Sequence, residues 1–118
     1  MSGHSAHPVA GMVAFPHDGV QFEVACEALC PFADETDRHA LVIEIAGGSG
    51  TIEAGSLADY LASYADTKIS AEDLVVAVAN EIAAQLEEDL GAPPGLVTVT
   101  TTVTVAEGRV KLTAVSCQ

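Results

Sequence analysis

Between Val20 and Cys26 every second position is apolar: Val20, Phe22, Val24 and Cys26 alternate with Gln21, Glu23 and Ala25. A period of two predicts a half-buried strand. A second strand is predicted over Ala40 to Ala46 (ALVIEIA), closed by a turn at Gly47-Gly48-Ser49-Gly50. The spacing then changes. Leu57, Tyr60, Leu61 and Tyr64 recur at helical intervals and predict a short amphipathic helix from Ser56 to Tyr64. A longer helix opens at Ser70, a good N-cap, with Asp73 three residues on and Glu72 in the first turn, where acids suit the helix dipole. Its apolar stripe is Val75, Val78, Ile82 and Leu86, flanked by Leu74 and Leu90, and Gly91-Ala92-Pro93-Pro94-Gly95 ends it. A hairpin closes the chain. Its first strand, LVTVTTTVTV, sets Val97, Val99, Val103 and Val105 against Thr98, Thr100, Thr102 and Thr104, and Ala106-Glu107-Gly108 turns it into RVKLTAVS.

The predicted order is β-β-α-α-β-β: an α+β domain whose antiparallel four-stranded sheet is covered on one face by two helices. Such a sheet has two edges, and long β-rich edges are safest when another copy pairs with them. Residues 1–19 lack periodicity and are rich in Gly, Pro, Ser and His, so they read as a flexible leader before a single domain over 20–118. His4, His7 and His17 have no cysteine partners at ligand spacing, and no metal is expected.

Composition adds compartment and partner expectations. A chain of 118 residues buries only about two-thirds of its unfolded surface, which favours a homo-oligomer. No apolar run reaches membrane-spanning length and the N-terminus has no basic and apolar signal regions, so a cytoplasmic protein with no membrane partner is expected. Seventeen acidic residues against four basic ones give a net charge of −13. That balance argues against an ordinary nucleic-acid surface, because phosphate contacts need Lys and Arg. It equally fits a salt-adapted (halophilic) proteome, in which carboxylates keep the protein solvated.

Chemistry has two candidate seats. Cys30, followed by Pro31, ends a strand and opens a loop carrying Asp34, Glu35, Asp37, Arg38 and His39. A thiolate is a strong nucleophile and Asp37 offers a proton handler, although a lone cysteine at a strand end also serves as a small buried hydrophobe. Glu53 and Glu72 stand before the two helices, where each can cap a helix or accept the paired N–H donors of a guanine-like base edge. Cys26 and Cys117 form no CxxC pair with Cys30, and Cys26 reads as packing.

Four features taken in order, Cys30-Pro31 after a strand, Asp37 seven residues on, a second strand, and Glu53-Ala54-Gly55-Ser56-Leu57-Ala58-Asp59-Tyr60, resemble the 7-cyano-7-deazaguanine (nitrile) reductases. The last segment is similar to that family's E-[SL]-K-[SA]-x-K-x-[YFW] motif, and Ala71-Glu72 stands where the family has His-Glu. The resemblance implies a tunnelling fold, pentameric or decameric assembly, and active sites between subunits. It further implies that Cys30 attacks the nitrile to form a thioimide, that Asp37 supplies the proton, and that Glu72 binds the base, with Glu53 and Ser56 as further binding residues.

Where the family binds NADPH, this chain departs: Gly55 and Ala58 replace both motif lysines, Ala65 replaces an arginine, and Ala71 replaces the histidine. These losses resemble the archaeal amidinotransferase-like branch, which forms archaeosine in tRNA by letting ammonia take the place of hydride. The expectation is therefore an enzyme of deazapurine (queuosine and archaeosine) chemistry without a cofactor, acting on 7-cyano-7-deazaguanine as free base or in tRNA. Two alternatives stay open. One is an NADPH-dependent reductase using Arg109 and Lys111; the other is a non-catalytic binding or scaffold protein on the same fold.

Overall fold

The structure, a computed structural model, describes residues 9–91, 96–105 and 107–116. Four strands, β1 (Met12–Leu29), β2 (Thr36–Ile52), β3 (Val97–Val105) and β4 (Gly108–Val115), form one sheet in the order β1-β2-β3-β4, with every neighbouring pair antiparallel. Two helices, α1 (Ala54–Ala62) and α2 (Ala71–Leu90), sit between the hairpins in sequence and on one side of the sheet in space. The β-β-α-α-β-β order read from periodicity is the observed one.

The core forms where both periods meet. Leu41, Ile43 and Ile45 point from β2 to the helices, Val97 and Val99 join them from β3, and Leu74, Val75, Val78, Ile82 and Leu86 face them from α2. Each such side chain contributes about 1.5–3 kcal/mol on burial. Thr101 breaks the valine row of β3 on the same face and is buried there. Ser70 caps α2 by accepting from the Asp73 N–H at 3.1 Å, and Gly91 ends the helix with φ +68°, a left-handed cap that glycine adopts without steric cost. Tyr60 and Tyr64, counted from spacing as apolar stripe, also clamp the helices together: both hydroxyls donate to Glu81 Oε1, at 2.6 and 2.8 Å.

Two expectations are corrected. The first hairpin is much longer than its alternating segments: β1 starts at Met12, within the stretch read as leader, and Gly47-Gly48-Ser49-Gly50 is strand, not turn. The pattern hides this because Val13 to Pro16 and Ala46 to Ser49 are exposed on both faces, and a bulge between Ala14 and His17 shifts the register around Pro16, which has no N–H to donate. Gly50 is buried against Leu90 at the end of α2, whose side-chain tip would have to move to admit a Cβ there. His17 packs its ring nitrogen against the Gly50 carbonyl at 2.9 Å, while His4, His7, Cys117 and the turn residue Ala106 lie outside the described residues. Among the described residues no helix is long and apolar enough to cross a membrane.

Candidate active site

Cys30 is the first residue after β1. Its N–H donates to the Glu35 carbonyl at 2.9 Å, closing a loop of residues 30–35 beyond the last β1–β2 pair, Leu29↔Thr36. Thr36 onward returns as β2, so Asp37 comes back beside Cys30. The Cys30 thiol and the Glu35 and Asp37 carboxylates all lie within 4.8 Å of one another.

The other edge of β1 recruits the helical half. Leu29 donates to the Thr67 carbonyl at 2.9 Å and accepts from the Ile69 N–H at 3.1 Å, a one-residue parallel bridge to Lys68. Those two bonds deliver Ser70, Ala71 and Glu72, the first residues of α2, next to the cysteine loop.

Between β2 and β3 the ladder ends at Leu41↔Thr101, although both strands continue. A cleft of about 560 Å³ lies there. Asp37, Arg38 and His39 form one wall, Thr102, Val103 and Thr104 the other, and Ser70, Ala71 and Glu72 the roof, with Pro31 and Phe32 of the cysteine loop at the rim. Phe32 is 86% exposed. Asp37 belongs both to this cleft and to the cluster around the Cys30 thiol, so it joins the cysteine to the cavity.

Of the predicted site residues, then, the structure gathers Cys30, Asp37 and Glu72. It places Glu53 and Ser56 elsewhere. Glu53 is the N-cap of α1: its carboxylate accepts from the Gly55 N–H at 2.7 Å and from the Ser56 N–H at 3.1 Å, and the Ser56 hydroxyl lies 3.3 Å from it. Those backbone bonds hold the Glu53 carboxyl below the usual carboxylate range.

His39 was named in the sequence only as one of the polar residues of the loop. Counting back by twos from Ile45, Ile43 and Leu41 puts His39 and Asp37 on the helix-facing side of β2, and this is the signal that finds it. The ring is 8% exposed, and its Nε2 has no hydrogen-bond partner among the described residues. Burial pushes the imidazole pKa down, against an upward pull from the Asp37 carboxylate.

Cys26 has a different environment from Cys30. It is buried beneath α1 with Sγ 3.6 Å from the Leu61 carbonyl, and burial followed by the charge of Glu27 pushes its thiol up to about 11. A thiol so placed stays protonated and packs.

A second cavity, of about 450 Å³, lies between β1 and α1 and is lined by Ala58, Ala62 and Ala65 together with Cys26, Leu61 and Arg38. Its charged lining residues are Glu27 and Arg38, 3.6 Å apart in an ion pair. Recognition of the 2′-phosphate of NADPH takes Arg or Lys, and the one such residue in this lining, Arg38, is already engaged with Glu27. A cation could be held by Cys30, Glu35 and Asp37, one thiol and two carboxylates.

A four-stranded antiparallel sheet with two consecutive helices across one face, in β-β-α-α-β-β order, is the tunnelling fold. Among solved structures the chain is similar to the archaeosine synthase QueF-Like, crystallised in the apo form, with a TM-score of 0.67 at 19% identity over 85% of this chain and 94% of that one. No family model and no curated protein matches the chain.

Proposed function

We propose that this chain is a deazapurine-modifying enzyme in which Cys30 adds to the nitrile of 7-cyano-7-deazaguanine and ammonia completes the reaction. The observation that carries the reading is the meeting of the Cys30 thiol and the Asp37 carboxyl within 4.8 Å, beside a cleft roofed by Glu72. The likeness in fold to an archaeosine synthase supports the same chemistry. Sulfur bonds to the nitrile carbon while Asp37 delivers a proton to the nitrile nitrogen, which avoids a free nitrogen anion and leaves a thioimide. Ammonia then attacks the same carbon, the C–S bond breaks, and sulfur regains a proton as the amidine leaves. Glu72 accepts the N1–H and 2-amino donors of the base and sets its orientation. No hydride is consumed, in keeping with the alanine-lined second cavity.

Cation placement favours a base carried in tRNA over a free base. The chain has four Lys and Arg residues, and all of them stand at the Cys30 end of the sheet. Arg38 lines the cleft, Lys68 bridges to Leu29, and Arg109 and Lys111 pair with the cleft residues Thr104 and Thr102. On a chain of net charge −13 this leaves one end suited to phosphate. The sheet edges β1 and β4 carry exposed Val13, Phe15, Val110 and Val115, which supports a ring of subunits joined edge to edge. Glu53 and Ser56 enter this reading only as contributions to a neighbouring subunit's site.

The test is intact-mass measurement of the protein incubated with 7-cyano-7-deazaguanine in high salt, with Cys30→Ala as control. An adduct of the nitrile's mass on the wild type alone, discharged by ammonium and not by NADPH, is the expected result. Absence of any adduct between pH 6 and 9 sinks the covalent reading, and NADPH oxidation that tracks loss of nitrile sinks the ammonia step.

A further inference from the structure

Two side chains where the cleft begins are buried with unpaired polar atoms. His39 Nε2 and Thr101 Oγ1 have no hydrogen-bond partner among the described residues, and their residues are 8% and 1% exposed. Thr101 stands on the last β2–β3 rung, Leu41↔Thr101, and His39 lies two residues beyond that rung in the wall of the cleft. Leaving a buried polar atom unpaired is costly, and apolar residues would fill the same face, as Leu41 and Ile43 do. An unpaired imidazole on the wall of a cavity is explained by a polar group that enters the cavity.

The identity of that group follows from the perimeter of the proposed substrate, so this inference rests on the proposed function. Around a 7-cyano-7-deazaguanine the 2-amino group, N1–H, the 6-oxo oxygen and the nitrile occur in that order. Cys30 and Asp37 hold the nitrile end and Glu72 the N1–H and 2-amino end, so the group between them meets the 6-oxo oxygen. His39 follows Asp37 on the same face of β2 and lines the cleft with Ala71 and Glu72. Alanine at position 71 offers that oxygen no side-chain donor.

We propose that the His39 imidazole donates a hydrogen bond to the 6-oxo oxygen of the bound base and makes the site selective for 6-oxo over 6-amino deazapurines. With its single proton on Nε2 the neutral ring donates to a carbonyl acceptor. Against a 6-amino base that tautomer presents donor to donor, and pairing requires the proton to move to Nδ1, which is the cost that sets the preference.

The test is calorimetric binding of 7-deazaguanine, which lacks the nitrile and cannot react, to the wild type, Cys30→Ala, His39→Leu and His39→Gln, each with a melting temperature. His39→Leu weakens binding about tenfold or more, the loss expected when a buried donor is removed. Its melting temperature stays equal to or above that of the wild type, because the substitution removes an unpaired polar group. His39→Gln keeps a donor and binds within about threefold of the wild type. Unchanged affinity in His39→Leu overturns the proposal, as does a loss that only follows a lower melting temperature; the ring is then a packing residue, its nitrogen satisfied by water. The two readings fail separately. His39-dependent binding without a Cys30 adduct removes the covalent chemistry and keeps the role of His39, whereas a wild type that binds no base overturns both.

Discussion

The two ends of the sheet differ in how their polar side chains are met. At the Gly50 end the partners come from within the chain: Glu53 caps α1 with its own carboxylate, and His17 meets the Gly50 carbonyl through one ring nitrogen, while its Nδ1 is buried without a partner among the described residues. At the Cys30 end the β2–β3 ladder stops early, His39 and Thr101 keep unpaired atoms, and all four cations gather. What sets the Cys30 end apart is that its unpaired His39 atom stands beside an open cleft, the arrangement expected where a local rule is broken for function.

Cysteine gives the sharpest contrast and the largest expected effect. Cys30→Ala abolishes the nitrile adduct, whereas Cys26→Ala leaves the rate of adduct formation unchanged and lowers stability by about 1 kcal/mol through the small cavity it creates beneath α1. Intact mass and thermal melts on both variants separate the two. Adduct loss in Cys26→Ala would show that the buried thiol takes part in chemistry, and the contrast would collapse.

The two glutamates come next. Glu72→Gln removes one acceptor from the base edge and leaves an N–H facing an N–H, so base affinity falls about 10–100-fold while the melting temperature barely moves. Glu53→Gln does the reverse: it weakens the α1 cap by about 1 kcal/mol and leaves affinity near the wild-type value in the isolated subunit. Equal loss of affinity in both variants would place Glu53 in a neighbour's site and make the Gly50 end functional too.

How much of this contrast could be read from the chain depends on which residues repeat a period. The helix stripes and the alternation of Val20 to Cys26, Ala40 to Ala46 and Val97 to Val99 lie over the core, and there the element order was legible. Met12 to Gly19 and Gly47 to Gly50 were not, because Val13 to Pro16 and Gly47 to Ser49 are exposed on both faces and need no alternation, and the glycines mimic a turn. Cys30, Asp37 and Glu72 stood out as candidates through their ordered spacing, and the fold brings their segments to one end of the sheet. His39 did not stand out, because what marks it is an unpaired atom, a property of packing that no spacing records. The cation cluster escaped for a related reason: four residues scattered over positions 38 to 111 meet only when β4 pairs with β3 and Lys68 bridges to Leu29.

That cluster gives a smaller, graded effect. Arg109→Ala and Lys111→Ala each weaken tRNA binding uniformly across sequences and reduce the slope of log affinity against log salt by about 1. Free 7-deazaguanine binds both variants as it binds the wild type. A salt slope unchanged by either substitution would leave the free base as the substrate and reduce the cations to surface charge.

The smallest effect is on stability and comes from His39. Its imidazole is held below the usual histidine pKa by burial, with Asp37 pulling the other way. Near the ordinary histidine value the unfolded chain therefore binds more protons than the folded one, and stability rises with pH there. The contribution is fully present above about pH 6.5, the unfolded value, and is lost as pH falls toward the lower folded value. Melting temperatures of the wild type and His39→Leu should move apart between pH 7.5 and 5.5, the wild type falling faster, with a stability loss of no more than about 1.4 kcal/mol per pH unit. Staying above pH 5 keeps most carboxylates ionised and outside the comparison. Parallel curves would mean that the pull of Asp37 offsets the burial of the ring, so that His39 takes up its proton alike in the folded and the unfolded chain.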